Sequence, residues 1–323
     1  MAEFMETIPG PLSGKAVTYE GLGGPETIKV VERTVRPPAF GEVRISVKAA
    51  GVNPADEVLR KIENSAVRFP VVPGFDAAGV IESVGPGVSR LQVGEEVMAA
   101  LTPYRPDGGT QAAFIVVPAA SVVPIPRGTT FAQAAGLPMN GLTALRALEL
   151  TELKAGQVLA VTGGAGVLAH YTIAAAKKMG LTVVADAKPA ESDLVRSYGA
   201  DAVVERGNGF AAAIRREFPD GVDALIDTAV MGASSFPAIR DGGVYIAVRP
   251  FNELPQERGI QTKLVWVPDV LENTEGLHLL RTLVESGEIK LRVAGEYAPE
   301  QVADAQQALA AGGLRGRPVI VFA

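Results

Sequence analysis

The 323-residue chain has no cysteine and only two histidines, His170 and His278. Without thiols it can form neither a disulfide framework nor a thiolate metal site. A catalytic zinc needs three protein ligands. Two histidines far apart in sequence, with no H-x-E or H-E-x-x-H spacing, do not make a recognisable set, so no zinc is expected. Runs of 18 apolar residues are also missing, which argues against a membrane-spanning helix. No basic block is present: 30 Lys and Arg against 36 Asp and Glu leave a net charge of −6, so a nucleic-acid partner is not expected. Residues 1–14 lack the basic and apolar regions of a signal peptide. They read as a loose leader, with Met5 as an alternative start, and a cytoplasmic location is the default expectation.

What is present is ample for folding. A chain of this length suggests about two domains, each able to bury a core. Its texture changes along the way. Residues 15–123 alternate short β-rich runs with Gly and Pro punctuation, and residues 42–47 alternate apolar and polar side chains as a half-buried strand does. Further strands are expected at 78–84, 96–100 and 113–117, giving an antiparallel, barrel-like region. From about residue 157, strands (157–162, 181–185, 202–204, 224–226, 244–248) alternate with helices (167–179, 191–198), the pattern of βαβ units and a parallel sheet. Beyond residue 260 come a strand at 262–267, helices at 276–285 and 299–311, an extended stretch at 291–297 and a last strand at 318–322. That tail is too short for a comfortable core of its own and is expected to complete another domain.

The strongest local signal is Thr162-Gly163-Gly164-Ala165-Gly166-Val167-Leu168-Ala169, which contains G-x-G-x-x-A between an expected strand and an expected helix. In this reading Gly164 permits the tight turn, Gly166 lets the backbone approach a pyrophosphate, and Ala169 keeps helix and strand close. The amides of the helix start then face the phosphates. Asp186 lies 20 residues beyond Gly166, where an acidic residue accepts from adenosine ribose hydroxyls and favours NAD. Lys188 and Arg206 stand near enough in sequence to hold a 2′-phosphate instead, so the residues alone leave NAD and NADP open.

Several separated motifs now carry a resemblance. Gly51-Val52-Asn53-Pro54-Ala55-Asp56, Pro73-Gly74-Phe75-Asp76-Ala77-Ala78-Gly79-Val80, Val84-Gly85-Pro86-Gly87-Val88, Val93-Gly94-Glu95-Glu96-Val97, Pro138-Met139-Asn140-Gly141-Leu142-Thr143-Ala144, Asp227-Thr228-Ala229 and Arg315-Gly316-Arg317 stand in this order. Together with the glycine turn they resemble the medium-chain dehydrogenase/reductase superfamily, and within it the zinc-free quinone oxidoreductase branch. The resemblance implies an α/β protein: a GroES-like β-barrel catalytic domain plus a Rossmann doubly wound parallel-sheet domain. The expected boundaries are 1–125 for the first part of the catalytic domain, 126–261 for the Rossmann domain, and 262–323 for a segment returning to the catalytic domain. Zinc alcohol dehydrogenases carry Cys where this chain has Asn53, and His where it has Phe75.

The implied activity is zinc-independent hydride transfer from NADPH, with NADH left open, to a quinone or to the C=C bond of an α,β-unsaturated carbonyl compound. Alternatives are an enoyl reductase of a polyketide-like biosynthetic pathway, and a dinucleotide-binding protein whose activity is lost or redox-neutral. By resemblance, Asn53 sits near the nicotinamide ribose and the reacting carbon, and Thr143 near the nicotinamide end. Gly163, Gly164, Ala165, Gly166 and Val167 hold the pyrophosphate, while Asp186, Lys188 and Arg206 surround the adenosine ribose. Ala229, Ile246 and Val248 line the nicotinamide side, and Arg317 lies near the cleft. Tyr104, in a Pro-rich loop, is a candidate hydrogen-bond donor to a substrate carbonyl.

Three departures from the family pattern stand out: Val58 where a Tyr is common, Gly166-Val167-Leu168-Ala169-His170 in place of the typical G-G-V-G, and Arg249 where a Gly often ends the fifth strand. Asp56 and Glu57 read as an adjacent surface pair, Asp227 as a structural turn carboxylate, and His170 as a helix residue facing the other domain. Trp266 falls in an apolar edge strand, which suggests a homodimer.

Overall fold

The computed structural model describes residues 10–251 and 253–323, so most of the expected leader (Met1, Met5 and Pro9 included) lies outside the described residues. In chain order the elements are β1 (Leu12–Tyr19), β2 (Ile28–Val35), β3 (Glu42–Gly51), α1 (Pro54–Lys61), β4 (Asp76–Val84), β5 (Glu96–Ala100), β6 (Phe114–Pro118), β7 (Val122–Pro124), α2 (Phe131–Ala134) and α3 (Pro138–Thr151). They continue with β8 (Val158–Val161), α4 (Val167–Lys178), β9 (Thr182–Ala187), α5 (Ser192–Ser197), β10 (Ala202–Glu205), α6 (Phe210–Glu217), β11 (Val222–Asp227) and β12 (Ile239–Ala247). The last are β13 (Gln261–Leu264), α7 (Thr274–Glu285), β14 (Val293–Tyr297), α8 (Val302–Ala311) and β15 (Arg317–Val321).

The chain divides into two compact units. The first takes residues up to Pro138, Leu271–Thr274 and Val293–Ala323; the second takes Met139–Val270 and Glu275–Arg292. The expected boundaries differ from this division at two places. Residues 126–138 stay with the first unit, and the tail does not return as one piece. α7 goes to the second unit because Leu277, Leu280 and Leu283 form its buried stripe, and Gly141 on α3 leaves the space that Leu280 fills.

The first unit is the GroES-like part. Its main sheet runs β14-β15-β3-β4-β5-β7, with β6 paired to β3, and a separate hairpin joins β1 to β2. Every pairing in the main sheet is antiparallel except β14 with β15. The core is made of small and β-branched residues such as Val43, Ile45, Val47, Ile81, Val97 and Ile320. Residues of this kind suit a pleated, tightly curved sheet.

The second unit is a six-stranded sheet in the order β10-β9-β8-β11-β12-β13, parallel throughout. Counted from β8 this is 3-2-1-4-5-6, the doubly wound Rossmann order. The order reverses between β8 and β11. Such a reversal opens a crevice at the carboxyl ends of the two strands, and ligands of open α/β sheets bind there. β13 ends at Leu264, earlier than the hydrophobic run suggested, because the chain turns at Val267-Pro268. Trp266 therefore lies beyond the strand, 45% exposed.

Candidate active site

Two groups of candidate residues emerge, one in each unit. In the second unit, nearly all of the residues read as cofactor ligands converge on the carboxyl edge of the sheet. Gly163–Gly166 follow β8, Asp186 ends β9, Arg206 follows β10, Thr228 and Ala229 follow β11, and Ile246 and Val248 mark the end of β12. The β8 and β11 ends are laced together. Thr162 Oγ1 donates to Asp227 Oδ1 at 2.6 Å, Thr228 Oγ1 donates to the Thr162 carbonyl, and the Ala229 amide donates to Thr162 Oγ1. Asp227 also accepts from the Gly232 amide and from Tyr245 Oη, which fits its reading as a structural carboxylate. Burial, with Asp227 beside it, pushes the Tyr245 phenol far up. Sequence reasoning gives Thr162 and Tyr245 no role of their own; a Thr at the end of the expected buried strand, immediately before a double glycine, is the available signal for the first.

The turn reassigns the work of its glycines. Gly163, not Gly164, takes the positive φ, +72°. Gly164 is needed for close approach: a Cβ there would stand 2.5 Å from the Asp186 carbonyl oxygen and 3.1 Å from Ala185 and Val195 side-chain atoms. Gly166 is the N-cap of α4, at φ −71° and ψ 165°. A Cβ on it would meet only the Gly163 carbonyl oxygen, at 3.1 Å. Having no side chain, Gly166 caps none of the first-turn amides of α4 itself, and helix N-terminal amides attract anions. Val167 and Ala169 are buried, so their bulk packs inward. Open space at Gly166 and an uncapped helix start fit a dinucleotide pyrophosphate.

Asp186 is placed differently from its expected ribose role. Its side chain is buried and turned into the glycine turn, where Oδ1 accepts from the Gly163 amide and, at 3.2 Å, the Gly164 amide. Oδ2 accepts from Arg206 Nε at 2.8 Å. The carboxylate is thus committed to holding the turn, and Arg206 offsets its charge. Lys188 stands exposed just past β9. Thr143 is apart from this edge, on α3, with its hydroxyl donating to the Met139 carbonyl one turn back.

His170 corrects its sequence reading. It packs within its own unit, its ring stacked on Tyr198 at 3.8 Å, and Nε2 lies 3.3 Å from the Glu288 carbonyl. Burial, with Arg292 and Lys290 nearby, pushes the imidazole down to about 4. The neutral ring is therefore what the fold accommodates. Its contribution is full above pH ~6.5 and is lost as pH falls toward 4, by about 3 kcal/mol in total. His170→Phe keeps a stackable ring without the base. Thermal melts at pH 7 and pH 4 should show wild type losing several degrees more than the variant over this interval; equal losses would remove His170 from that role.

In the first unit, a polar network is buried around the start of α1. Asn53 is its N-cap, and the side chain of Asp56, three residues on, reaches back to the Asn53 amide. Asp56 is fully buried, which overturns its reading as half of a surface pair. Its carboxylate accepts from the Asn53 amide at 2.7 Å, the Gly74 amide at 3.0 Å and Gln111 Nε2 at 3.3 Å. Burial pushes this carboxyl up to about 7, and the charge of Asp76 adds to the effect. Glu57, one residue on and about 100° round the helix, faces out and pairs with Lys61 at 2.7 Å. Asn53 Nδ2 donates to Asp76 Oδ1 at 3.0 Å, and both residues are buried. Arg317, on β15, acts electrostatically on Asp56 and so belongs to the same cluster. Tyr104 reaches its border, its ring edge-on to Phe75 at 6.4 Å. Its loop is tied down by Asp107 to Arg36 and by Arg105 to Glu42.

Comparison with known proteins agrees with this architecture. Residues 39–127 match the family described as alcohol dehydrogenase GroES-like domain, and residues 198–320 the family described as zinc-binding dehydrogenase. Among the described residues no group of three or more His, Cys, Asp or Glu side chains converges as a metal site. An NADPH-dependent alkenal/one oxidoreductase of Arabidopsis thaliana is 31% identical, over 96% of this chain and 80% of its own length. A quinone oxidoreductase of Mus musculus is 28% identical, over 95% of this chain and 98% of its own. A mycobacterial structure solved with NADPH superposes with a TM-score of 0.83 at 25% identity, covering 96% of this chain and 100% of the other. The paired domains, the strand order and these relatives agree: the chain belongs to the medium-chain dehydrogenase/reductase superfamily, in its quinone oxidoreductase-like branch.

Proposed function

We propose that the protein is an NADPH-dependent reductase of quinones or of the activated C=C bond of enones, working without zinc. One observation carries the dinucleotide part: a glycine turn with an uncapped helix start at the point where the parallel sheet reverses its order. The relatives' names, alkenal/one oxidoreductase and quinone oxidoreductase, support the acceptor class. The donor set supports zinc independence. At the two positions where zinc dehydrogenases carry ligands stand an amide already bonded to Asp76 and the apolar ring of Phe75.

A bound reduced nicotinamide supplies the hydride in this chemistry. The residues of this chain bind and orient. The first-turn amides after Gly166 take the pyrophosphate, with Gly163, Gly164, Ala165 and Val167 shaping the turn. Ala229, Ile246 and Val248 line the nicotinamide side. Asn53, Thr143, Tyr104 and Arg317 serve the reacting end. NADPH is favoured over NADH because Asp186 is already satisfied by two amides and Arg206. That leaves Lys188, with the Arg206 N–H groups not bonded to Asp186, to meet a 2′-phosphate.

The test is NADPH oxidation against a panel of quinones and enones, with dinucleotide binding followed by fluorescence. Turnover of either class supports the reading. Tight binding without turnover on any acceptor would favour a redox-neutral binding protein instead. Lys188→Ala should weaken NADPH about tenfold and leave NADH within a factor of about two. Equal losses would take Lys188 out of the phosphate site.

We also propose a homodimer formed along β13, the outer strand of the parallel sheet, where Leu264 and Trp266 are exposed. Light scattering at micromolar concentration should give twice the chain mass; the mass of one chain would remove the proposal. A cytoplasmic location stays part of this reading, and no helix among the described residues is long and apolar enough to cross a membrane.

A further inference from the structure

The buried network of the first unit contains two carboxylates, and they do different work. Asp56 is accounted for by its bonds to the Asn53 and Gly74 amides and to Gln111 Nε2. These secure the start of α1 and the turn before β4. Asp76 instead receives a side chain, Asn53 Nδ2. Burying a second carboxylate beside the first is costly, because each raises the other's energy and neither is hydrated. The backbone around Asp76 is built to admit it. Gly51, on the neighbouring strand β3, has no Cβ where the Asp76 carboxylate oxygen lies, and any Cβ there would collide with it. Gly74, at φ +104°, and Gly109 likewise let the 73–74 and 109–111 segments close on each other, and Thr110 Oγ1 donates to the Asp76 carbonyl.

We propose that Asp76 is a positioning residue for the reaction: its carboxylate sets the orientation in which the Asn53 amide meets the bound dinucleotide or substrate. The Asp76 oxygen that faces Asn53 accepts from Nδ2, so it selects the NH₂ end of the amide over the carbonyl end. The bond from the Asn53 backbone amide to the Asp56 carboxylate holds its main chain at the start of α1. An amide free to flip would present donor and acceptor alternately; Asp76 removes that choice before a ligand arrives. Fixing a contact group in advance avoids an ordering cost during the reaction. The inference rests on the proposed role of Asn53 at the reacting end of the cofactor.

The experiment is a double-mutant cycle on kcat, KM and dinucleotide affinity, with thermal melts as a control. Asn53→Ala alone tests the underlying reading: unchanged kinetics and affinity would mean that Asn53 contacts neither cofactor nor substrate. Given an effect there, Asp76→Asn should lower kcat about tenfold while moving the enone KM little. In the Asn53→Ala background the same change should cost less than a factor of about two. An equal loss in both backgrounds would show that Asp76 acts structurally, and overturn the proposal. Asn53→Asp sets two carboxylates face to face and should be worse than Asn53→Ala. Adding Asp76→Asn to Asn53→Asp restores a donor–acceptor pair with the roles exchanged, and at least about fivefold of the lost kcat should return. No recovery in this pair, with folding intact by thermal melt, would also overturn the assignment.

Discussion

Gly166→Val is expected to leave the protein folded and to weaken dinucleotide binding by about 100-fold or more, roughly 3 kcal/mol. Both halves follow from the geometry. The backbone at Gly166 is extended, at φ −71°, which valine adopts without strain. The added Cβ meets only one atom, the Gly163 carbonyl oxygen at 3.1 Å, so a slight shift of the turn accommodates it. What the side chain fills is the space in front of the first-turn amides of α4, where a phosphate oxygen would come within hydrogen-bonding distance. Fluorescence titration with NADPH reads the loss, and a thermal melt within a few degrees of wild type certifies the fold. Unchanged affinity would place the phosphates elsewhere. The neighbouring change Gly164→Val is no substitute, because its Cβ collides with β9 and reports on folding.

Asp186→Ala should abolish tight binding of NADPH and NADH alike and destabilise the second unit by about 3 kcal/mol. In the ribose-binding reading, removing this carboxylate would relax the preference between the two dinucleotides and leave the fold intact. The structure gives Asp186 another task. It is the shared acceptor of two adjacent turn amides, and its other oxygen takes Arg206. Alanine leaves the Gly163 N–H and the Arg206 guanidinium without their partner, while the Gly164 N–H keeps only its 3.1 Å bond to the residue 186 carbonyl, and the turn that presents the α4 amides loses its anchor. The ratio of NADPH to NADH affinity, measured beside chemical denaturation, separates the readings. A changed ratio at unchanged stability would return Asp186 to the ribose.

Much of the fold was legible because hydrophobic periodicity records which face of an element is buried. The runs at 96–100 and 157–162 matched β5 and β8 closely, and Gly-ended helices matched α4 and α5 within a residue or two. Motif order carried the two-part architecture further than periodicity could. The failures have a common cause: contacts between segments distant in sequence. Asp56 and Glu57 look alike in a string, yet one turns into the sheet toward Gly74 and Gln111 while the other faces Lys61. Asp186 sits at the spacing of a ribose ligand, and only the return of the Gly163 and Gly164 amides shows what its carboxylate holds. His170 was assigned to the wrong neighbour because Tyr198 and Glu288 lie 28 and 118 residues away. The tail could not be divided from composition, since α7 and β14 differ less in residue type than in what covers them.

β15 lies inside the first unit's sheet, hydrogen-bonded to β14 on one side and β3 on the other. During synthesis the strands that begin this sheet leave the ribosome up to about 275 residues ahead of the one that fills its gap. The Rossmann unit, complete at Arg292, emerges whole while its companion still waits with the flank of β3 uncovered. A nascent chain stalled near that point should therefore resist protease across the parallel sheet and be cut readily in the strands made first.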